Sequence, residues 1–204
     1  MTVIAPERSY RPLAVAAAAG LGWGVACMFL QGILPGSLNS IVANSGAGWG
    51  VLAFAAGAVW HRSRLPVVAL AGALVELGLV VGYYASVIVR YDQDPPSFWA
   101  YMWAALALVT GPVFGVAGAW WRSGSGWRPV VAVGLLSGLF AGEGAVRLAT
   151  LPDKITGWIL VLAAVAFPLV LGRTWRDRLL GLAAALPLTG LAVGSFWILG
   201  HLHA

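Results

Sequence analysis

Three charged side chains stand where the surrounding sequence suits lipid. In "LLSGLFAGEGAVRLATLPDK", Leu135 to Lys154, Glu143 and Arg147 lie four residues apart. That spacing puts both on one face of a helix with the acid on the N-terminal side, the favourable order for an ion pair. A helix entered at Pro129 carries Glu143 fourteen residues in, about 21 Å deep at 1.5 Å per residue. A charge at the bilayer centre costs roughly 2.5–3.5 kcal/mol on insertion scales, which leaves two readings. Either the pair sets helix depth and packing, with Arg147 snorkelling to the outer interface, or it faces the bundle interior as a ligand or ion site.

Glu76, in "VVALAGALVELGLVVGYY", has no such neighbour. Gly72, Ala73, Leu79 and Val80, one turn either way, offer it no partner. It must be protonated, paired across helices or open to a polar cavity. A lone intramembrane carboxylate is a functional candidate by default; the plainer reading is a neutral acid bonded to another helix. A third group is uncharged: Gln31, Ser37, Asn39, Ser40, Asn44 and Ser45 in "LQGILPGSLNSIVANSGAGWG". Pro35 and Gly36 punctuate the first helix there, so helix capping by Asn and Ser is the first expectation. An outward-facing site for a neutral or zwitterionic solute is the second.

The elements that must position these residues follow from composition. The chain has 204 residues, of which 60% are hydrophobic and 9% charged, against about 25% charged in soluble domains. Its apolar runs approach the roughly 20 residues a helix needs to cross a bilayer. They predict seven spans, near residues 12–34, 40–60, 65–89, 99–121, 129–149, 155–171 and 179–199. A count of six is the alternative if the last two are not separate. The fold class is therefore all-α, a polytopic transmembrane helical bundle forming one integral membrane domain. The second span depends on how much of "LNSIVANSG" is helical. The first continues through "WGVACMFL" beyond the length of a signal peptide, so it is read as a span.

Nine arginines (Arg8, Arg11, Arg62, Arg64, Arg122, Arg128, Arg173, Arg176 and Arg178) fall at one set of helix ends, against Arg90, Arg147 and Lys154 at the other. Basic residues concentrate on the cytoplasmic side, so the N-terminus is expected in the cytoplasm and the tail "HLHA" outside a plasma membrane. Glycines recur every fourth residue, at Gly46 and Gly50, Gly78 and Gly82, and Gly134, Gly138 and Gly142, as in close helix packing. Tryptophans at helix ends, Trp60, Trp99, Trp120, Trp121, Trp158 and Trp197, read as interfacial anchors. "AGAVWHRSRLPVVALAG" at Ala56 and "AGAWWRSGSGWRPVVAVG" at Ala117 look alike, and so do the stretches from Val89 and Val146. Repeated helical hairpins related by an axis along the membrane normal are one explanation; shared Ala, Gly and Val bias is the other. Pro112, Pro168 and Pro187 fall inside spans and predict kinks, and "DQDPP" at Asp92 to Pro96 reads as an exposed turn.

Several chemistries lack their residues. Cys27 is the sole cysteine, and His61, His201 and His203 lie at connections or in the tail, so neither a disulfide nor a metal site is expected. There is no Gly-x-Ser-x-Gly elbow and no phosphate-cradling loop, Lys154 being the single lysine. No cofactor is expected, and the dispersed basic residues argue against nucleic acid.

The stretch "LQGILPGSLNSIVANSGAGWG", with the glycine-rich hairpin carrying "VGYY" and the later "AGEGAVRL", resembles an uncharacterised family of small, arginine-rich actinobacterial membrane proteins. The resemblance spans most of the chain and implies a plasma membrane protein, with no activity or substrate attached. Two main readings remain. One is a small-solute transporter, or the substrate-binding membrane subunit of one, with Glu76, Glu143 and Arg147 between the repeats and Gln31, Asn39 and Asn44 towards the outer mouth. The other is a non-catalytic partner or assembly subunit for another membrane chain, in which the Glu143–Arg147 pair is structural. An intramembrane enzyme ranks last, since no nucleophile–base pair is visible.

Overall fold

A computed structural model describes residues 10–92, 97–152 and 154–201. The turn read at "DQDPP" beyond Asp92 and the last three residues of the tail lie outside these. The described residues form α1 (Arg11–Gln31), a single turn α2 (Gly36–Leu38) that runs into a π-helical segment (Asn39–Ala43), α3 (Gly46–Val59), α4 (Leu65–Tyr91), α5 (Ser97–Ser123), α6 (Arg128–Thr150), α7 (Lys154–Leu171) and α8 (Trp175–His201). Six of these are long and apolar enough to cross a bilayer unaided. The second expected span is not one helix: Gly36–Ala43 and Gly46–Val59 meet at a bend of 42°. At the break Ser45 accepts from the Gly48 amide as an N-cap and thereby starts α3 anew.

Glycine packing fixes how the chain threads. Gly20 of α1 lies against Val75 of α4, and Gly24 against Leu79 and Tyr83, so α1 and α4 run parallel. The segment between them must then cross back, which makes the broken helix a true span. Gly72 of α4 meets Gly111 of α5 and Gly115 meets Val68, an antiparallel pair. Gly134, Gly138 and Gly142 of α6 lie against Ala184, Leu188 and Ala192 of α8, again parallel. Among the described residues the helices therefore run in alternating directions, with six candidate spans, or seven when the broken pair is counted as one. Among the described residues, eight arginines (Arg11, Arg62, Arg64, Arg122, Arg128, Arg173, Arg176 and Arg178) gather at one end of the bundle, and Arg90, Arg147 and Lys154 at the other.

The hairpins α3–α4 and α5–α6 are antiparallel neighbours, as a duplication requires. The most extensive contacts nevertheless join α1 to α4 and α6 to α8, and a shift by one hairpin does not relate these pairs, since α4 and α6 do not pack together. The main core lies between α3, α5, α6 and α7, around Phe54, Phe114, Leu136, Phe140 and Leu160. Buried Ser137 is explained by a proline. Pro168 brings no amide to the Ala164 carbonyl four residues earlier, and the Ser137 hydroxyl donates to that carbonyl from α6 at 2.5 Å.

Backbones approach closely between α3 and α5, where a β-carbon built on Gly57 would lie 1.8 Å from the Gly115 carbonyl oxygen. Gly57→Ala should therefore destabilise the protein by about 1–3 kcal/mol through overpacking. Gly22→Ala, with open space around it, should change stability by no more than about 0.5 kcal/mol. Unfolding of both variants in lipid nanodiscs checks the contrast; equal behaviour would refute the packing assignment.

Candidate functional site

A helix broken inside lipid frees amides and carbonyls that water cannot reach, each costing several kcal/mol if left alone. The backbone leaves the helical region at Asn44 (φ −139°, ψ 47°) and is extended at Ser45. On the donor side, the Ala47 amide donates to Glu143 Oε2 at 2.7 Å. The Ser45 hydroxyl donates to the same oxygen at 3.1 Å. On the acceptor side, Arg147 Nη2 donates to the Asn44 and Ser40 carbonyls at 2.6 and 3.4 Å, and Gln31 Nε2 to the Ala43 carbonyl at 3.0 Å. Glu143 Oε1 and Arg147 Nε join the two sides at 2.8 Å.

The polarity is matched as well. A helix start carries partial positive charge and a helix end partial negative charge. Glu143 sits at the start of α3 and Arg147 at the end of the preceding segment, so α6 inserts an ion pair into the break with each charge facing its complement. Around this pair, Gln31 accepts from the Tyr83 hydroxyl through Oε1 at 3.0 Å and from Asn39 Nδ2 through its carbonyl at 3.0 Å.

Glu76 lies elsewhere, on α4, with 3% of its surface exposed. Its Oε2 is partnered by the Thr110 hydroxyl of α5, and that hydroxyl also lies 2.8 Å from the Leu106 carbonyl. Its Oε1 is buried without a hydrogen-bond partner, and so is the indole nitrogen of Trp49. Both residues border a cavity of about 280 Å³ whose other walls include Leu106, Phe114, Leu139 and Leu191. A second cavity of about 360 Å³, bordered by Gln31, Ser45, Tyr83, Glu143 and Arg147, lies beside the break. Gly46, Trp49 and Trp103 belong to both. The Trp49 and Trp103 rings, 5.0 Å apart at 56°, form the partition between an apolar chamber and a polar one.

The structure thus gathers Gln31, Asn39, Asn44, Glu143 and Arg147 around the break and places Glu76 across the tryptophan partition. Asn44 contributes its backbone carbonyl while its side chain is exposed, so its part in the site is not the side-chain contact that its residue type suggests. Sequence reasoning missed Thr110, Tyr83, Trp49 and Trp103. A threonine in an apolar helix carries little signal, because it can bond its own helix four residues back, as Thr110 also does. Trp49 and Trp103 lie inward of the helix-end positions from which anchors were recognised.

Removing one member of a buried ion pair costs about 3–5 kcal/mol, and Arg147→Leu should lower stability by that amount. Glu143→Gln should cost less, since the amide oxygen still accepts from the Ala47 amide. Combining the two should not restore the wild type: about 1–3 kcal/mol remains lost, because the Ser40 and Asn44 carbonyls lose their donor. A double-mutant cycle in nanodiscs measures this, and a fully stable double variant would mean that the pair does not hold the break.

No curated protein and no solved structure matches the chain. One family model does, over residues 4–201, and it describes a family of unknown function (DUF6518). The match covers nearly the whole chain, and the protein belongs to that family.

Proposed function

We propose that this protein is a small-solute transport protein of the plasma membrane, with its arginine-rich face in the cytoplasm and Glu76 at the solute site. The observation that carries the reading is the unpartnered Glu76 Oε1, buried beside a cavity in the middle of a membrane bundle. A buried polar atom left unsatisfied costs about 1–3 kcal/mol, and a bound solute removes that cost. The excess of arginine at one end supports the orientation.

The broken span supplies a moving part. Discontinuous helices at binding sites support alternating access in several transporter folds, and here the hinge is Asn44–Ser45. Trp49 sits in the first turn of α3 immediately after it. A tilt of that turn carries Trp49 against or away from Trp103 and so joins or separates the two chambers. Glu143 and Arg147 hold the hinge and need not touch solute. Their engagement with the break also favours the second reading, a non-catalytic membrane partner in which the pair is structural; that reading leaves Glu76 unexplained.

Native mass spectra of gently extracted wild type, Glu76→Gln and Glu143→Gln distinguish the two. The expected outcome is a small molecule on the wild type, lost from Glu76→Gln and retained by whatever part of Glu143→Gln remains folded. A companion chain with no ligand sensitive to Glu76 would overturn the transport reading.

A further inference from the structure

We infer that the Glu76 cavity takes a lipophilic amine that enters sideways from the bilayer, between α5 and α8. The inference rests on the transport reading and names its substrate class. The cavity has one carboxyl group, and the other polar groups on its walls are Thr110, Ser195 and the indole N–H groups of Trp49 and Trp103. A sugar or a zwitterion would leave most of its hydrogen-bonding groups unsatisfied there, and an anion would meet no cation. A carboxylate in a cavity lined by Trp49, Trp103 and Phe114 suits an organic ammonium ion, which the quadrupoles of aromatic rings also attract. The Trp49 N–H adds a donor for an acceptor group on the same molecule. The volume, about 280 Å³, lies just below the range of about 300 to 1,000 Å³ usual for ligand pockets, which suits a small molecule.

The route follows from the walls. Helices α5 and α8 line the cavity without packing together. Val109 and Leu191, apolar and within the candidate spans of α5 and α8, line the cavity and are 65% and 68% exposed. A molecule arriving there comes from lipid and must be uncharged to do so. The proton that charges it is at hand. Thr110 has a single hydroxyl proton; when that proton goes to the Leu106 carbonyl, the contact with Glu76 Oε2 requires a proton on the carboxyl group. A neutral amine then takes that proton, its nitrogen lone pair forming the N–H bond as the carboxyl O–H breaks. The products are an ammonium ion and a carboxylate in contact, with no net change in charge and no ion crossing lipid.

The probe is radiolabelled 2-phenylethylamine, dialysed to equilibrium against nanodisc-embedded protein, with protein-free nanodiscs correcting for lipid partition. Saturable binding is expected, at least tenfold weaker in Glu76→Gln, and 2-phenylethanol should bind the wild type at least tenfold more weakly than the amine. Equal amine binding in wild type and Glu76→Gln, or alcohol binding as tight as amine binding, would overturn the inference. If Glu76→Gln does not fold, the amine–alcohol comparison on wild type decides it. Val109→Trp with Leu191→Trp should narrow the lateral opening and slow amine association at least tenfold; an unchanged rate would refute the sideways route. Amine bound at Glu76 but not moved across proteoliposomes would overturn the transport reading and leave the ligand class standing. A ligand of another class, lost from Glu76→Gln in native mass spectra, would do the reverse.

Discussion

The structure depends on a backbone problem in lipid. A span that stops being helical at Asn44 exposes amides and carbonyls to a medium with no hydrogen bonds to offer, and only protein groups can satisfy them. Glu143 and Arg147 do so from α6, one serving the start of α3 and the other the end of the segment before it. Their charges are tolerated at that depth because each neutralises the other and both face helix ends of opposite polarity. The position of α6 beside the break, and with it the polar chamber between Gln31 and Arg147, follows from that arrangement.

Glycine supplies the complementary constraint. Lipid gives apolar helices little reason to associate, so close approach of backbones must provide contact. The α1–α4, α4–α5 and α6–α8 pairs are built on glycines facing backbone atoms or β-carbons. Between α5 and α8 such packing is missing, and the bundle opens there onto Glu76. Tight packing at those pairs and a gap between α5 and α8 are two results of the same rule. The two chambers differ in character: one is lined by groups recruited to the break, the other mainly by apolar side chains of α3, α5, α6 and α8.

Much of this was legible in the residues. Hydrocarbon thickness sets span length, so the apolar runs announced a multi-pass helical bundle, and six of them are helices long and apolar enough to cross alone. The four-residue spacing of Glu143 and Arg147 announced an ion pair, since helix geometry is local. Ser45 as a cap was readable for the same reason. The interruption of the second span was not, because the apolar count runs through "LNSIVANSG" without marking where the hydrogen-bond ladder ends. Nor was the Glu76–Thr110 contact, which joins residues 34 apart in the chain.

By itself the sequence determined the membrane habit, the all-helical class and the oddness of Glu76, because each follows from composition or from periodicity within one helix. Only the tertiary structure decided that the ion pair belongs to a helix break 96 residues away. It also decided that two tryptophans divide two cavities and that one oxygen of Glu76 is left without a partner beside one of them. Those are contacts between helices. In a chain of apolar segments, the choice of neighbour is made by shape and by the need to satisfy buried polar groups, and neither is written in any one segment.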